Sequence, residues 1–393
     1  MLCKLIKYYA KSNFFNSLTV RRNADGFSVN SGCRNRQKMI PYFCYVNCYG
    51  NLWGGRFVEG ILLCLALLTV WKMKLHISGF GEGLSRENTY ALRGVMAVLI
   101  VLHHLSQNRD GGLILLALKN VGVPCVALFL FFSGYGLHRS ALTKKNYAPT
   151  ILKRRIPSVL VPYLILVVLY WLANGLMGTS YPLSQVLLSL VNGKPVVTYS
   201  WYILCILVFY ANYWLSLRLF SARLRAMALY HGASVLVWVF LCKALGYGEY
   251  WYNATISFPL GILWAQYEQR LSHWLQKRYF AALTLSAILF AAGYVLALMG
   301  LKRDVYVSAF WTACLGCIAF VVLLMMKCGL GNPVLRFLGQ ISFELYGIHG
   351  LVMLLLQPWE HTLFGPALIL LTAIAAASLL HCMFQWLLGK CLK

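Results

Sequence analysis

Arg93 and His104 stand eleven residues apart in the apolar stretch ALRGVMAVLIVLHHLSQN, Ala91 to Asn108. Eleven residues of α-helix rise about 16 Å and return to within about 20° of a whole number of turns, so both side chains fall on one face. A permanent cation and a titratable base are thereby held in line across about half of a bilayer's hydrocarbon. A neutral imidazole serves as a general base or as a transient acyl carrier, and a guanidinium grips phosphate. Ionisable groups at such depth are costly, which makes them functional candidates. The plainer alternative is that Arg93 snorkels to one interface and His104 anchors the other. His103 points about 100° away from His104.

Three further groups could do chemistry. In GQISFELYGIHG, offsets of four and seven residues put Ser342, Tyr346 and His349 on one helical face, while Glu344 points roughly the other way. An unpaired carboxylate in hydrocarbon protonates or seeks a cation, which singles out Glu344; His349 weighs less, because a buried histidine is commonly a satisfied packing residue. The run His138, Arg139, Lys144, Lys145, Lys153, Arg154 and Arg155 before IPSVLVPYL fixes topology, and it is also an anion site suited to the phosphates of a cofactor such as coenzyme A. Tyr199 to Tyr202 and Tyr250 to Asn253 lead into helices through aromatic residues that suit either an interfacial belt or a carbohydrate acceptor, notably Trp201, Tyr202, Trp251 and Tyr252.

The elements that must position these groups are membrane helices. The 393 residues are 60% hydrophobic and only 11% charged, a balance foreign to water-soluble domains. Apolar periods predict an all-α, polytopic bundle: a weak span at Phe57 to Trp71, then ten core spans at Leu92 to Asn108, Val121 to Leu137, Ile156 to Met177, Ser200 to Phe220, Ala226 to Leu245, Asn253 to Gln269, Phe280 to Gly300, Val305 to Met326, Leu335 to Gln357 and Phe364 to Leu388. The expected organisation is a poorly structured basic extension over 1–56, an extra helix and connection over 57–83, and a ten-helix domain over 84–393. The net charge of +25 does not indicate nucleic acid, since most Lys and Arg fall between apolar runs. Counted over alternate connections, nineteen lie on one side and six on the other, which puts the start of the Arg93 helix and the C-terminus in the cytoplasm.

Thirteen cysteines, mostly within apolar runs, imply no disulfide framework. The Cys314-x-x-Cys317 pair lies inside an apolar helix, the remaining histidines have no ligand spacing, and no metal is expected. GFGEG, Gly79 to Gly83, reads as a turn.

Taken together, the Arg93-x10-His104 helix, FFSGYGL at Phe131 to Leu137, the basic run before IPSVLVPYL, WYILCILVFY, WYNATISFPLGIL and ISFELYGIHG occur in the order that resembles acyltransferase family 3, integral membrane enzymes that O-acylate exported glycans and some small molecules. The resemblance covers about Leu84 to Leu388. It implies that Arg93 and His104 are the essential pair, joined as catalytic candidates by His349 and Glu344. It also implies that Arg93, Lys153, Arg154 and Arg155 hold the donor. Where the family carries a second basic residue three positions after Arg155, this chain has Ser158, and Lys153 and Arg154 stand beside Arg155 as substitutes.

The implied reaction is transfer of a short acyl group, acetyl in the first instance, from cytoplasmic acyl-coenzyme A to a hydroxyl of a cell-surface glycan, in the plasma membrane and with no permanently bound cofactor. The chain ends soon after its last helix, so transfer is expected to finish in the membrane domain or on a separate partner. A transporter of an anionic or lipid-linked sugar is the rival class, and its inverted repeat with paired broken helices is not evident in the sequence.

Nine Lys and Arg within Met1 to Arg56 conflict with an outside N-terminus, and initiation at Met39 would leave only Arg56. A chain beginning at Met39 is therefore expected to insert as well as the full one; protease protection of membranes expressing both tests this, and lost insertion on removing Met1 to Lys38 would refute it.

Overall fold

The computed structural model describes residues 57–107, 109, 113–192, 195–220, 224–299 and 303–391, all within one compact unit. The basic extension, with the start expected at Met39, lies outside the described residues.

Helices account for nearly the whole fold. α1 (Phe57–Val70) is short. α2 (Arg86–Gln107) carries Arg93 and His104, followed by α3 (Leu113–Asn120) and α4 (Gly122–Thr143). A helical turn at Tyr147–Thr150 and a π-helical turn at Ile151–Arg155 run into α5 (Pro157–Leu176). Then come α6 (Leu183–Asn192), α7 (Trp201–Phe220), α8 (Leu224–Ala244), α9 (Ser257–Lys277), α10 (Tyr279–Leu298), α11 (Arg303–Lys327), α12 (Pro333–Gln340), α13 (Ser342–Leu355) and α14 (Gly365–Cys391). Two three-residue strands, β1 (Met73–Leu75) and β2 (Cys328–Leu330), pair antiparallel and tie the chain before α2 to the end of α11. Lys327 reinforces that tie by donating to the carbonyls of His76, Ile77 and Gly79.

Among the described residues, eight helices are long and apolar enough to cross a bilayer, or nine if α12 and α13 form one broken span. The expected span Leu335 to Gln357 is not one straight helix, because α12 and α13 meet at 72°. The break coincides with a close contact between distant segments. Gly339 packs directly on the backbone of Tyr90, and the Ser342 hydroxyl donates to the Gly339 carbonyl at 2.8 Å, diverting an acceptor from the helical ladder. Asn332 caps the first half by accepting from the amides of Val334 and Leu335. α9 is 21 residues long, and Gln266, Glu268, Gln269 and Arg270 make its second half polar.

α2 sits deep in the bundle: 56% of its most apolar stretch is buried, against 17% for α10, which is peripheral. In membranes the bundle gains from close packing rather than from expelling water, so small residues set the helix approaches. Reciprocal glycine pairs do this, and two of them hold the walls around α2 and α4. A Cβ on Gly94 would run into the Leu335 carbonyl and one on Gly339 into the Tyr90 carbonyl, locking α2 against α12. Gly134 and Gly261 face the carbonyls of Phe258 and Phe131 in the same way, locking α4 against α9.

Gly94→Val is accordingly expected to cost about 1–3 kcal/mol through overpacking. Gly175→Ala, where a Cβ meets nothing within 4 Å, is expected to be tolerated. Thermal unfolding of both variants in detergent checks the contrast.

Candidate active site

α2 presents Arg86, Tyr90 and Arg93 at spacings of four and three residues, one stripe of a helix. Opposite this stripe, α4 contributes Ser133, Gly136, Arg139 and Ser140 at the same kind of spacing. Between them lies a cavity of about 670 Å³ that α5, α7 and α13 complete through Val159, Tyr202, Ile206, Tyr210, Ser342 and Tyr346. Its mouth is ringed by Glu82, Arg86, Arg139, Lys144 and Arg155, all exposed, while Tyr202 and Tyr346 are each only 8% exposed and close its inner end. Five cations, Arg86, Arg93, Arg139, Lys144 and Arg155, share the walls with one carboxylate, so the cavity attracts polyanions.

The π turn decides which member of the basic run joins this wall. Its wide turn closes with the Ile156 amide donating to the Ile151 carbonyl at 3.0 Å. Arg155 lines the cavity and its Nε donates to the Tyr147 hydroxyl at 3.1 Å, whereas Lys153 and Arg154 do not line it. Arg139 and Lys144, from the same basic run, and Arg86, which lies before the apolar stretch expected to form the span, are the additional cations. Their signal lay in the helical spacing to Arg93 and to Ser133.

Past the inner end stands a stack of rings. The His104 ring lies on that of Tyr199, centroids 3.7 Å apart, and His349 lies 5.1 Å from His104 with planes 19° apart. Tyr199 holds its place at a cost, with a left-handed φ of 65° in a residue that is not glycine. Two contacts enforce the position. The Tyr346 hydroxyl donates to the Tyr199 carbonyl, and Gly350 leaves the space for the Tyr199 ring. Burial first, and the Glu360 carboxylate next, push the Tyr199 phenol above its ordinary range.

The two imidazoles differ from His103. His349 Nδ1 lies 2.7 Å from the Tyr346 carbonyl and 3.3 Å from that of Leu345. A carbonyl only accepts, so a neutral His349 carries its proton on Nδ1 and a lone pair on Nε2. That Nε2 is buried without a partner, as is His104 Nδ1. His103, by contrast, has both ring nitrogens engaged, Nδ1 with the Leu118 carbonyl and Nε2 with the Gln107 amide, each at 3.0 Å. His104 and His349 together offer unshielded nitrogen to an incoming group.

The remaining sequence candidates are dispersed. Glu344 turns to α14, where it bonds His381 Nδ1 at 2.9 Å, and it does not reach the cavity or the ring stack. Of the four aromatic candidates, Tyr202 lines the cavity and lies 5.3 Å from Tyr346. Trp201, Trp251 and Tyr252 instead build an aromatic cluster beside α8 and α11: Trp251 stacks on Tyr247 at 4.6 Å, and Trp311 donates to the Tyr252 carbonyl. Among the described residues no group of three or more His, Cys, Asp or Glu could hold a metal ion.

Beyond the stack, two buried charges come from connections rather than helices. Arg109, 1% exposed, donates through Nη2 to the backbone carbonyl of Glu360, which is 6% exposed. Burial draws the Arg109 guanidinium below its ordinary range, and the Glu360 carboxylate opposes that shift. Neither residue lies in a periodic segment, so the sequence carried no signal for the pairing.

Residues 90–385 match the family described as an acyltransferase domain. The chain belongs to acyltransferase family 3. No curated protein and no solved structure matches it. The matched region holds Arg93, His104, the cavity's inner wall and His349, and it makes the chain a multi-pass membrane acyltransferase.

The fixed tautomer gives a direct test. Nitrogen-15 NMR of histidine-labelled protein is expected to show His349, identified by loss of its signals in His349→Gln, as a neutral ring protonated on Nδ1; a neutral ring protonated on Nε2 would contradict the arrangement.

Proposed function

We propose that this acyltransferase carries a short acyl group, acetyl in the first instance, from acyl-coenzyme A to a hydroxyl of an exported or cell-surface glycan. One observation supports the reading above the others: a cation-lined cavity ends at Tyr346, whose ring adjoins His349, one of two stacked imidazoles that each keep a buried nitrogen without a partner. Coenzyme A has the complementary shape, a phosphate-rich head and a thin thioester-bearing arm. The distribution of Lys and Arg supports a cytoplasmic cavity mouth, on the side where acyl-coenzyme A is made, with His104 toward the outer leaflet.

In this reading Arg86, Arg139, Lys144 and Arg155 bind the phosphates and Arg93 steers the arm inward. The arm passes Tyr202 and Tyr346 to bring the thioester carbonyl to the histidine pair. An imidazole takes the proton from the acceptor hydroxyl, and the oxygen attacks the thioester carbon. The tetrahedral intermediate collapses with cleavage of the C–S bond, and the departing thiolate recovers the proton from the imidazolium. The products are the O-acyl acceptor and free coenzyme A. Both reactants are held in one frame, which lowers the entropic part of the barrier.

Transfer from radiolabelled acetyl-coenzyme A into the polysaccharide fraction of membranes is the test. His104→Ala and His349→Ala are each expected to lower the rate by about 10²-fold or more in inserted protein, the scale of a lost acid or base, and His103→Ala much less. Equal losses for His103→Ala and His104→Ala, or undiminished transfer in His104→Ala, would end the assignment. Arg155→Gln is expected to raise the donor KM with little change in kcat, since phosphate contacts persist unchanged from ground to transition state, while Lys153→Gln leaves both constants near wild type.

A further inference from the structure

Eight buried side-chain polar atoms lack a hydrogen-bond partner among the described residues. Trp214 Nε1 and Ser257 Oγ account for two, and the other six are His104 Nδ1, His349 Nε2, Ser200 Oγ, Arg109 Nε and Nη1, and Glu360 Oε1. Folded proteins seldom leave such groups unmade, because each orphan forfeits its bonds to water. His104 and His349 belong to the ring stack, Ser200 follows Tyr199 in the chain, and Arg109 with its neighbour Glu360 follows the end of α2, so these orphans mark a place built to be completed by something polar.

Arg109 and Glu360 are the outermost of these groups. They are neighbours that do not satisfy each other: Arg109 grips the Glu360 main chain, leaving the carboxylate Oε1 and two guanidinium nitrogens open. The end of α2 connects them to the ring stack: the Arg109 amide donates to the Ser106 carbonyl at 3.2 Å, two residues beyond His104, on whose ring Tyr199 lies.

We propose that Arg109 and Glu360 form a clamp for the acceptor, Glu360 accepting from and Arg109 donating to adjacent hydroxyls of a neutral carbohydrate, one of whose hydroxyls is presented to the His104 and His349 nitrogens. The inference rests on the O-acyl transfer reading. The pair carries no net charge, and a vicinal diol meets both members, one hydroxyl donating to Glu360 and the next accepting from Arg109. The stacked Tyr199 ring fixes His104 rather than the sugar, so Tyr199 is a positioning residue. A site with open polar groups of this kind rejects ligands lacking the matching hydroxyl, since the buried charges would then stay unpaired.

The test uses the full chain in nanodiscs, labelled acetyl-coenzyme A, and neutral cello-, xylo- and chitotetraose against acidic tetragalacturonate. Label is expected in at least one neutral tetrasaccharide and not in the acidic one. Glu360→Gln and Arg109→Lys are each expected to lower kcat/KM for that acceptor by about tenfold or more while the donor KM stays within about twofold of wild type. An unchanged acceptor constant in both variants, preference for the acidic tetrasaccharide, or donor and acceptor constants that worsen together would overturn the clamp. Acetyl-coenzyme A consumption by native membranes without transfer to any neutral tetrasaccharide would overturn the clamp alone. No consumption even there would overturn the transfer reading together with it.

Discussion

Backbone contact between α2 and α12 is the constraint from which the site follows. With glycine at 94 and 339 the two helices touch main chain to main chain, and the break between α12 and α13 follows directly after that contact. The chain turns at Ile341, and the turned half, α13, then runs where Tyr346 and His349 meet Tyr199 and His104. A bilayer supplies no hydrophobic drive between helices, so such a meeting has to be specified by small residues and by polar contacts that cannot be satisfied elsewhere. The Gly134 and Gly261 pair does for the cavity's second wall what Gly94 and Gly339 do for the first.

The polar groups inside the bundle divide into those with partners and those without. His138 bonds Tyr213 and Gln266, His231 bonds Ser216, and Tyr135 and Arg139 both reach Glu268, so these groups brace α4, α7, α8 and α9. Glu344 and His381 brace α13 against α14 in the same manner. The unpartnered atoms concentrate at His104, His349 and the charges beyond them. A buried ion pair is weak evidence for stability, yet removing one partner of such a pair leaves a costly orphan, and this asymmetry keeps braces intact.

Much of the architecture is legible in the sequence because helical periodicity is strong where lipid demands it. The shared face of Arg93 and His104, and the opposite directions of His349 and Glu344 on one helix, follow from 3.6 residues per turn. What escapes the sequence is set by contacts between segments far apart in the chain. A straight span was expected over Leu335 to Gln357, since nothing local announces that Gly339 will rest on Tyr90. Three adjacent cations, Lys153, Arg154 and Arg155, are equivalent in a charge count, and only the π turn distinguishes the third. The aromatic residues preceding α7 and α9 look alike in composition, yet Tyr202 faces the cavity while Trp251 packs among other rings. Arg109 and Glu360 lie in connections 251 positions apart, where no period operates.

The tyrosine layer between cavity and ring stack has an electrical consequence. A water-bearing cavity from one end and a polar cluster near the other would, if joined, make a conduit for protons through the bundle. Every charge leaking down a membrane potential dissipates about 2.3 kcal/mol per 100 mV. Tyr202 and Tyr346, with the Tyr346 hydroxyl fastened to the Tyr199 carbonyl, are the thickness of insulation that remains.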